Sequence, residues 1–421
     1  MARTRVIYQS EAVYCSQDVA FDAAQTGAGA IKQLSRVQSA NYSFSVARQD
    51  VNQFGNLAAI DQIITESPTV SFDTSYYLAN FSNEDRLGFN VLQSGAAATG
   101  FTSCIGDIID SSTNAYQKDY YLLTTKEGKD ANQNTTSGDF SYGASVIGIG
   151  NAFLSSYSTE GSVGGLPTVS VSVEGQNMNF VNLPYIQGVT GVVGAGLKTG
   201  VAGAVTFISG ENPAVNSSDG EKVDLPVALP APLDNASADV GDKISTLRPG
   251  DITLTLAKQT EDSNTAATLF KTTTGNALYA PDYAGASIDD AHIQSYTMSF
   301  DLSRSPIQSL GNRFAFARTI DFPINVSLSV DAVLSDLTSG SLADIVNCDH
   351  KFDARITLKD PACSAPKSGI CNYIVKGLKL DSQSFSSDIG SNKTVTLDFS
   401  SQIGGPDQFG HGVFMSGHFA T

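Results

Sequence analysis

Two stretches of this chain, 256 residues apart, are one segment written twice. Val37 to Asn56 reads VQSANYSFSVARQDVNQFGN, and Ile293 to Asn312 reads IQSYTMSFDLSRSPIQSLGN. Without a gap, 7 of 20 positions are identical: Gln38/Gln294, Ser39/Ser295, Ser43/Ser299, Phe44/Phe300, Arg48/Arg304, Gly55/Gly311 and Asn56/Asn312. Unrelated segments of ordinary composition share about one. A second match follows in the same order. Phe153 to Val173 aligns with Lys379 to Phe399 at an offset of 226, with Leu154/Leu380, Ser156/Ser382, Ser158/Ser384, Gly164/Gly390, Thr168/Thr394 and Val169/Val395 identical. The shorter offset means that the first copy carries 30 extra residues between its two blocks. Collinear blocks argue for a duplicated domain, because a chance motif would not keep its neighbours in order. A fused pair of like domains also suits pseudo-symmetry, since three such chains present six like domains in a ring.

The pattern inside each copy is β. In Tyr42 to Arg48, the residues Tyr42, Phe44, Val46 and Arg48 alternate with smaller ones, and Met298 to Arg304 repeats the alternation. That period of two predicts a strand with Arg48 or Arg304 at the end of its apolar face. A Gly-Asn step seven residues later predicts a tight turn or bulge at Gly55-Asn56 and Gly311-Asn312, with each glycine at positive φ. Further strands are expected at 69–73, 120–124, 169–173, 252–256, 325–330, 355–358 and 394–399. Helical signal is weak, with Ser341 to Asn347 the one short candidate. Lys126 to Gly138 reads as an exposed loop. The fold class is therefore mainly β: two tandem sandwich or barrel domains, each with a short flanking helix, plus a long central insertion. The expected boundaries are 1–180 for the first domain, 181–287 for a central linker or small inserted domain, and 288–421 for the second.

Composition limits the function. The 42 Asp and Glu against 25 Lys and Arg leave a net charge of −17, which disfavours a nucleic-acid-gripping surface. Basic residues near the start are followed by no apolar stretch, and no eighteen-residue apolar run occurs, so neither a secretory signal nor a membrane span is expected. Five cysteines, Cys15, Cys104, Cys348, Cys363 and Cys371, form an odd set that argues for free thiols, although Cys363 and Cys371 flank a loop short enough to bridge.

Candidate chemistry fails residue by residue. Gly191 to Thr199 approaches a phosphate loop, but Leu197 stands where the motif needs Lys directly after the last Gly. Cys348, His350, Cys363 and Cys371 lack a close Cys-x-x-Cys pair for zinc, and Asp234, Asp239 and Asp242 lack the calcium-loop register. Close carboxylates at Asp289-Asp290 and at Asp107 and Asp110 are ordinary in an acidic chain. Neither a Gly-x-Ser-x-Gly elbow nor a His-Glu-x-x-His pair occurs. No enzyme, catalytic residue, cofactor or metal is expected.

The two copies of strand, Arg, five residues and Phe/Leu-Gly-Asn resemble tail tube proteins of long-tailed bacteriophages, with Pro68 and Pro323 opening the next strand. The openings Arg3 to Ser10 and Leu34 to Ser39 share that resemblance. It covers roughly residues 1–180 and 286–421 and departs from the family over the central region. It implies a β-sandwich or barrel with a flanking helix, whose inner strands line a tube through which DNA passes without specific binding. Some such subunits fuse two domains and form trimeric rings of pseudo-six-fold symmetry that stack helically. On that resemblance, Arg48, Gly55, Asn56, Arg304, Gly311 and Asn312 are assembly or turn residues. The partners would be further copies of the chain and other phage tail proteins. The chain would be made in a bacterial host cytoplasm and end in the virion. The alternatives are another virion protein, such as a neck or capsid-decoration protein, or a fibre binding module, which the absence of Trp counts against.

Overall fold

The computed structural model describes residues 11–16, 31–93, 102–109, 117–125, 144–183, 197–198, 207–216, 220–221, 226–230, 246–247, 252–258, 291–312, 314–315, 317–334, 351–359, 369–386, 393–405 and 408–417. The first half of the chain runs through β1 (Glu11–Ser16), β2 (Ile31–Gln33), β3 (Val37–Ser45), β4 (Arg48–Val51), β5 (Asp61–Ile64) and β6 (Thr69–Tyr77). It continues with α1 (Ser82–Leu87), β7 (Val91–Gln93), α2 (Gly106–Ile109), β8 (Lys118–Thr125), β9 (Ala144–Ser162), β10 (Thr168–Gly175) and β11 (Asn177–Leu183). The central region holds β12 (Leu197–Lys198), β13 (Phe207–Glu211), β14 (Pro226–Pro230) and β15 (Ile252–Lys258). The last third holds β16 (Ala291–Asp301), β17 (Arg304–Ile307), β18 (Ala317–Ile320), β19 (Ile324–Leu334), β20 (Phe352–Lys359), β21 (Gly369–Ser386), β22 (Thr394–Ile403) and β23 (Gly412–Gly417). The fold is mainly β, with large antiparallel sheets.

One wide sheet carries both copies of the repeated segment. Its order is β3-β6-β10-β9-β16-β19-β22-β21, all antiparallel. The first four strands and the last four have the same internal order. They share irregularities too. Pairing slips between Val37 and Ser39 and again between Ile293 and Ser295. It slips opposite Ser172/Val173 in one half and between Leu380 and Ser382 in the other.

The two longest strands, β9 and β21, bend out of the wide sheet and build a second layer. Their N-terminal parts pair with β8 and β11, and with β20 and β23, respectively. β1 then joins β8, and β15 joins β20. Between the layers lies one apolar core. Phe72 of β6 meets Tyr120 of β8 at 5.5 Å, and Phe399 of β22 meets Phe352 of β20 at 6.3 Å. Alternation decides the faces: β6, β10 and β22 bury every second residue, whereas β8 and β23 are buried throughout. β14 covers the outer side of the first second-layer sheet, with Val227 and Leu229 packed on Tyr14, Tyr121 and Leu123.

The expected strand from Tyr42 to Arg48 is two strands. β3 stops at Ser45, and Arg48 opens the separate two-stranded ribbon β4-β5. Met298 to Arg304 divides in the same way, with Arg304 opening the ribbon β17-β18. The interruption coincides with the start of the partner strands, since Pro68 and Pro323 immediately precede β6 and β19 and supply no N–H to continue the ladder. The alternation reads through the break because it is a property of the letters, while the ladder depends on the neighbour. Among the described residues, α1 and α2 both fall in the first half of the chain, where a short flanking helix is expected but no segment of the sequence is singled out for it. The segments Ser341 to Asn347 and Lys126 to Gly138 lie outside the described residues, as do Cys348 and Cys363.

Candidate assembly surface

The outer face of the wide sheet is a field of hydroxyls and carboxylates. Cross-strand partners place Ser39, Ser75, Ser170, Ser158, Ser299, Ser327 and Ser400 in one row, ending at Lys379 on the edge strand. Ser39 and Ser75 hydroxyls stand 2.6 Å apart, and Ser299 and Ser327 stand 2.8 Å apart. Adjacent rows bring Asp73, Glu160, Asp301, Asp331 and Asp398 to the same face. Hydroxyls hold three of these carboxylates, with Thr168 donating to Glu160 at 2.9 Å. Ser329 and Ser382 donate to Asp398 at 2.7 and 2.6 Å, and Ser295 and Thr396 donate to Asp331 at 2.8 and 2.6 Å. The Ser382 hydrogen bond, and after it that from Ser329, lowers the Asp398 pKa and keeps it charged.

The two halves of the sheet meet where β9 pairs with β16, from Ser156↔Asp301 to Ser162↔Ser295. Leu302 N–H extends the ladder to the Ser155 carbonyl at 2.7 Å. At this joint, Met298 and Phe300 are 0% and 2% exposed, and Phe300 stacks on Tyr157 at 5.3 Å. The ribbon β17-β18 then seats on the neighbouring strands. Arg318, in β18, forms an ion pair with Glu174 of β10. The Arg304 guanidinium lies 4.9 Å over the Phe153 ring and donates to the Arg318 carbonyl at 3.2 Å. Gln176 donates to the Ala315 carbonyl at 3.3 Å. Burial, and then the nearby Arg318 charge, lower the Arg304 pKa to about 10.

Two edges of the wide sheet are open. Among the described residues, nothing pairs with the outer side of β3 or with the outer side of β21 beyond Leu378. Apolar side chains stand uncovered there: Phe44 is 64% exposed, Tyr42 38% and Phe385 49%. Phe44 and Tyr42 are the repeat counterparts of the buried Phe300 and Met298. The ribbon β4-β5 is likewise exposed, with Ile63, Ile64 and the tip residues Phe54 and Leu57 facing solvent.

The residues singled out by the repeat fall into two environments. Arg48 is exposed on β4, whereas Arg304 is half-buried under its ribbon. Gly55 and Gly311 have φ of 92° and 94°, with nothing within 4 Å of a Cβ added at either. Asn56 N–H donates to the Gln53 carbonyl at 3.3 Å, and Asn312 N–H to the Ser309 carbonyl at 3.2 Å, closing matched turns. The structure thus brings Arg304 to the joint between the halves and leaves the two Gly-Asn turns out at the ribbon tips. The seat residues Phe153, Glu174 and Arg318 carry no sequence signal beyond lying near repeat blocks.

Sequence reasoning also missed a buried carboxyl. Glu84 of α1 is fully buried beneath the wide sheet and accepts hydrogen bonds from the Tyr76 hydroxyl at 2.9 Å and the Tyr157 hydroxyl at 3.1 Å. Tyr157 in turn lies 2.8 Å from the Tyr373 hydroxyl, so the cluster spans β6, β9 and β21. Burial raises the Glu84 pKa to about 7, against the opposing hydrogen bonds from both tyrosines. The readable signal was Glu84 and Asp85 before Arg86 and Gly88, an acidic-start helix ending on a glycine with φ of 98°. The cluster is enclosed and its partners are tyrosines, so it can hold a proton but offers no reactive surface. Cys15, Cys104 and Cys371 are buried and outside any disulfide, the Cys15 thiol donating to the Arg86 carbonyl at 3.3 Å, and burial raises the pKa of Cys104 and Cys371. Among the described residues, no group of three or more His, Cys, Asp or Glu could hold a metal, and no helix is long and apolar enough to cross a membrane.

No family model and no curated protein matches the chain. Among solved structures, a chain of the anti-feeding prophage baseplate, determined by cryo-electron microscopy with six-fold symmetrisation, is similar over 28% of this chain and 76% of that one. The two share 13% identity at a TM-score of 0.21, a likeness that carries no argument about function, which rests instead on the sheet and its edges.

Proposed function

We propose that the chain is a structural subunit of a phage-type tail tube, built from a duplicated domain and assembled as trimeric rings of pseudo-six-fold symmetry. The observation that carries this reading is the wide sheet: eight strands in two like sets of four, one polar face, and two open edges. An open edge with apolar side chains is an aggregation liability unless assembly covers it, and closing the sheet on itself removes both edges at once. Three chains of eight sheet strands make a 24-stranded closed wall. The stagger of the sheet suits closure. The row from Ser39 reaches Ser299, whose repeat counterpart is Ser43, so each four-strand set advances by four residues. At strand spacings of about 4.8 Å and tilts of about 35–40°, such a wall is about 45 Å across at the backbone.

The polar face turned inward gives that wall its chemistry. Asp73, Glu160, Asp301, Asp331 and Asp398 would face passing DNA, their cross-strand partners being Ser, Thr and Asn, while Lys379 stands opposite Ser400 at the end of the serine row. Like charges repel phosphate, and few cations are there to replace its counterions, so DNA slides without adhering. Stacked rings would then join other tail proteins in the virion. Negative-stain microscopy of the purified protein tests the reading: hollow rods or rings support it. A dispersed monomer would favour the alternatives, a neck or capsid-decoration protein or a fibre module.

A further inference from the structure

The joint between β9 and β16 is a template for a contact that the chain has not yet made. We propose that a second copy docks its β3 against β21 of the first in the register already used within the chain, so that the open joint repeats the closed one. This deepens the assembly reading by naming its interface. Applying the repeat offsets of 256 and 226 to the closed joint turns Met298↔Thr159 into Tyr42↔Phe385 and Phe300↔Tyr157 into Phe44↔Gln383. Ser299↔Ser158 becomes Ser43↔Ser384, and Asp301↔Ser156 becomes Ser45↔Ser382. The ladder bond from Leu302 N–H to the Ser155 carbonyl becomes one from Val46 N–H to the Asp381 carbonyl.

Three observations select a second copy as the occupant. The exposed Phe44, Tyr42 and Phe385 all fall inside this register, where their counterparts Phe300, Met298 and Thr159 are 2%, 0% and 0% exposed. The two open edges are the repeat images of the two edges that already fit each other. The seat of the ribbon also has its image. Gln176, which donates to the Ala315 carbonyl, corresponds to Gln402, and Ala315 corresponds to Ala59.

The image is not identical, and the differences set its character. Arg318 and Glu174 are replaced by Gln62 and Ser400, and Phe153 under Arg304 is replaced by Lys379, facing Arg48. The ion pair is gone and one like-charged facing takes the place of a cation over a ring. Ladder bonds and apolar contact therefore hold the open joint, and salt, which screens the Arg48–Lys379 repulsion, does not dissolve it.

Paired cysteines test the register, on a background with Cys348 and Cys363 replaced by Ser. Tyr42→Cys with Phe385→Cys should give covalent dimers and trimers on mild oxidation, reversed by reductant. Tyr42→Cys with Asp381→Cys, four residues out of register, should cross-link at least tenfold less. Phe44→Asp should keep the melting temperature of the monomer and reduce assembly at least tenfold, measured by native mass spectrometry. Assembly of the unsubstituted protein without the Tyr42–Phe385 cross-link overturns the register and leaves the tube reading standing. A monomer at every concentration and salt overturns both.

Discussion

The two ribbons differ more than their sequences do. β17-β18 lies on its neighbours, with Arg304 over Phe153 and Arg318 paired with Glu174, while β4-β5 stands exposed with Arg48 in solvent. The same holds for the strands leading into them: Phe300 is 2% exposed and Phe44 is 64% exposed. One pattern of residues therefore has two fates, decided by whether a partner edge is present. In the second copy, β9 of the same chain supplies that edge. In the first, nothing among the described residues supplies one.

The largest effect that can break this comparison is a matched pair of core and edge substitutions. Phe300→Ser should cost about 3–5 kcal/mol in urea unfolding, because it empties a stacked aromatic site. Phe44→Ser should change monomer stability by only about 0.5 kcal/mol. Equal losses would mean that Phe44 is already covered within one chain.

Next in size is a pH effect from Glu84, whose partner Tyr157 stacks on Phe300 at the closed joint. The Glu84 pKa is raised to about 7 in the fold, above its unfolded value, so the fold favours the protonated form. Stability from this group is full below the unfolded pKa of about 4.5, falls as pH rises, and is lost once pH passes about 7, a change on the order of 3 kcal/mol. Glu84→Gln, which stays neutral, should flatten unfolding free energy across that window. An unchanged pH slope in the variant would remove Glu84 as its source.

The repeat was legible because many of its identities do one job. Ser39, Ser158 and Ser299 stand in the serine row, and Ser43 and Ser156 lie on the same polar face, where a small hydroxyl suits a crowded pleat. The strand positions were legible for the same reason, since period two survives in the letters. What was not legible depends on tertiary neighbours. The breaks after Ser45 and Asp301 go with prolines that immediately precede the partner strands β6 and β19, and the burial of Glu84 goes with tyrosines contributed by β6 and β9. Nor could local sequence say which Phe of the repeated pair is covered. Exposure is a property of the neighbour.

Smaller effects sharpen the contrast between the ribbons. Arg318→Ala should cost about 1–3 kcal/mol, less than a fully buried pair, because the Glu174 side chain is 35% exposed. Gln62→Ala, at the matching site of the open ribbon, should cost about 0.5 kcal/mol or less. Thermal unfolding of the two variants measures the difference. The smallest contrast should be none at all. Gly55→Val and Gly311→Val should each cost about 1–2 kcal/mol, since both glycines hold positive φ with open space around them. A marked inequality would show that one ribbon tip is strained by its seat.

Cryo-electron microscopy of the assembled protein tests the central claim most directly. The account predicts rings of three chains in which β21 of one copy pairs with β3 of the next, closing 24 strands into a wall about 45 Å across, with Asp301, Asp331 and Asp398 facing the channel. Rings of six chains, β3 and β21 left unpaired, or a channel lined mainly by Lys and Arg would contradict it.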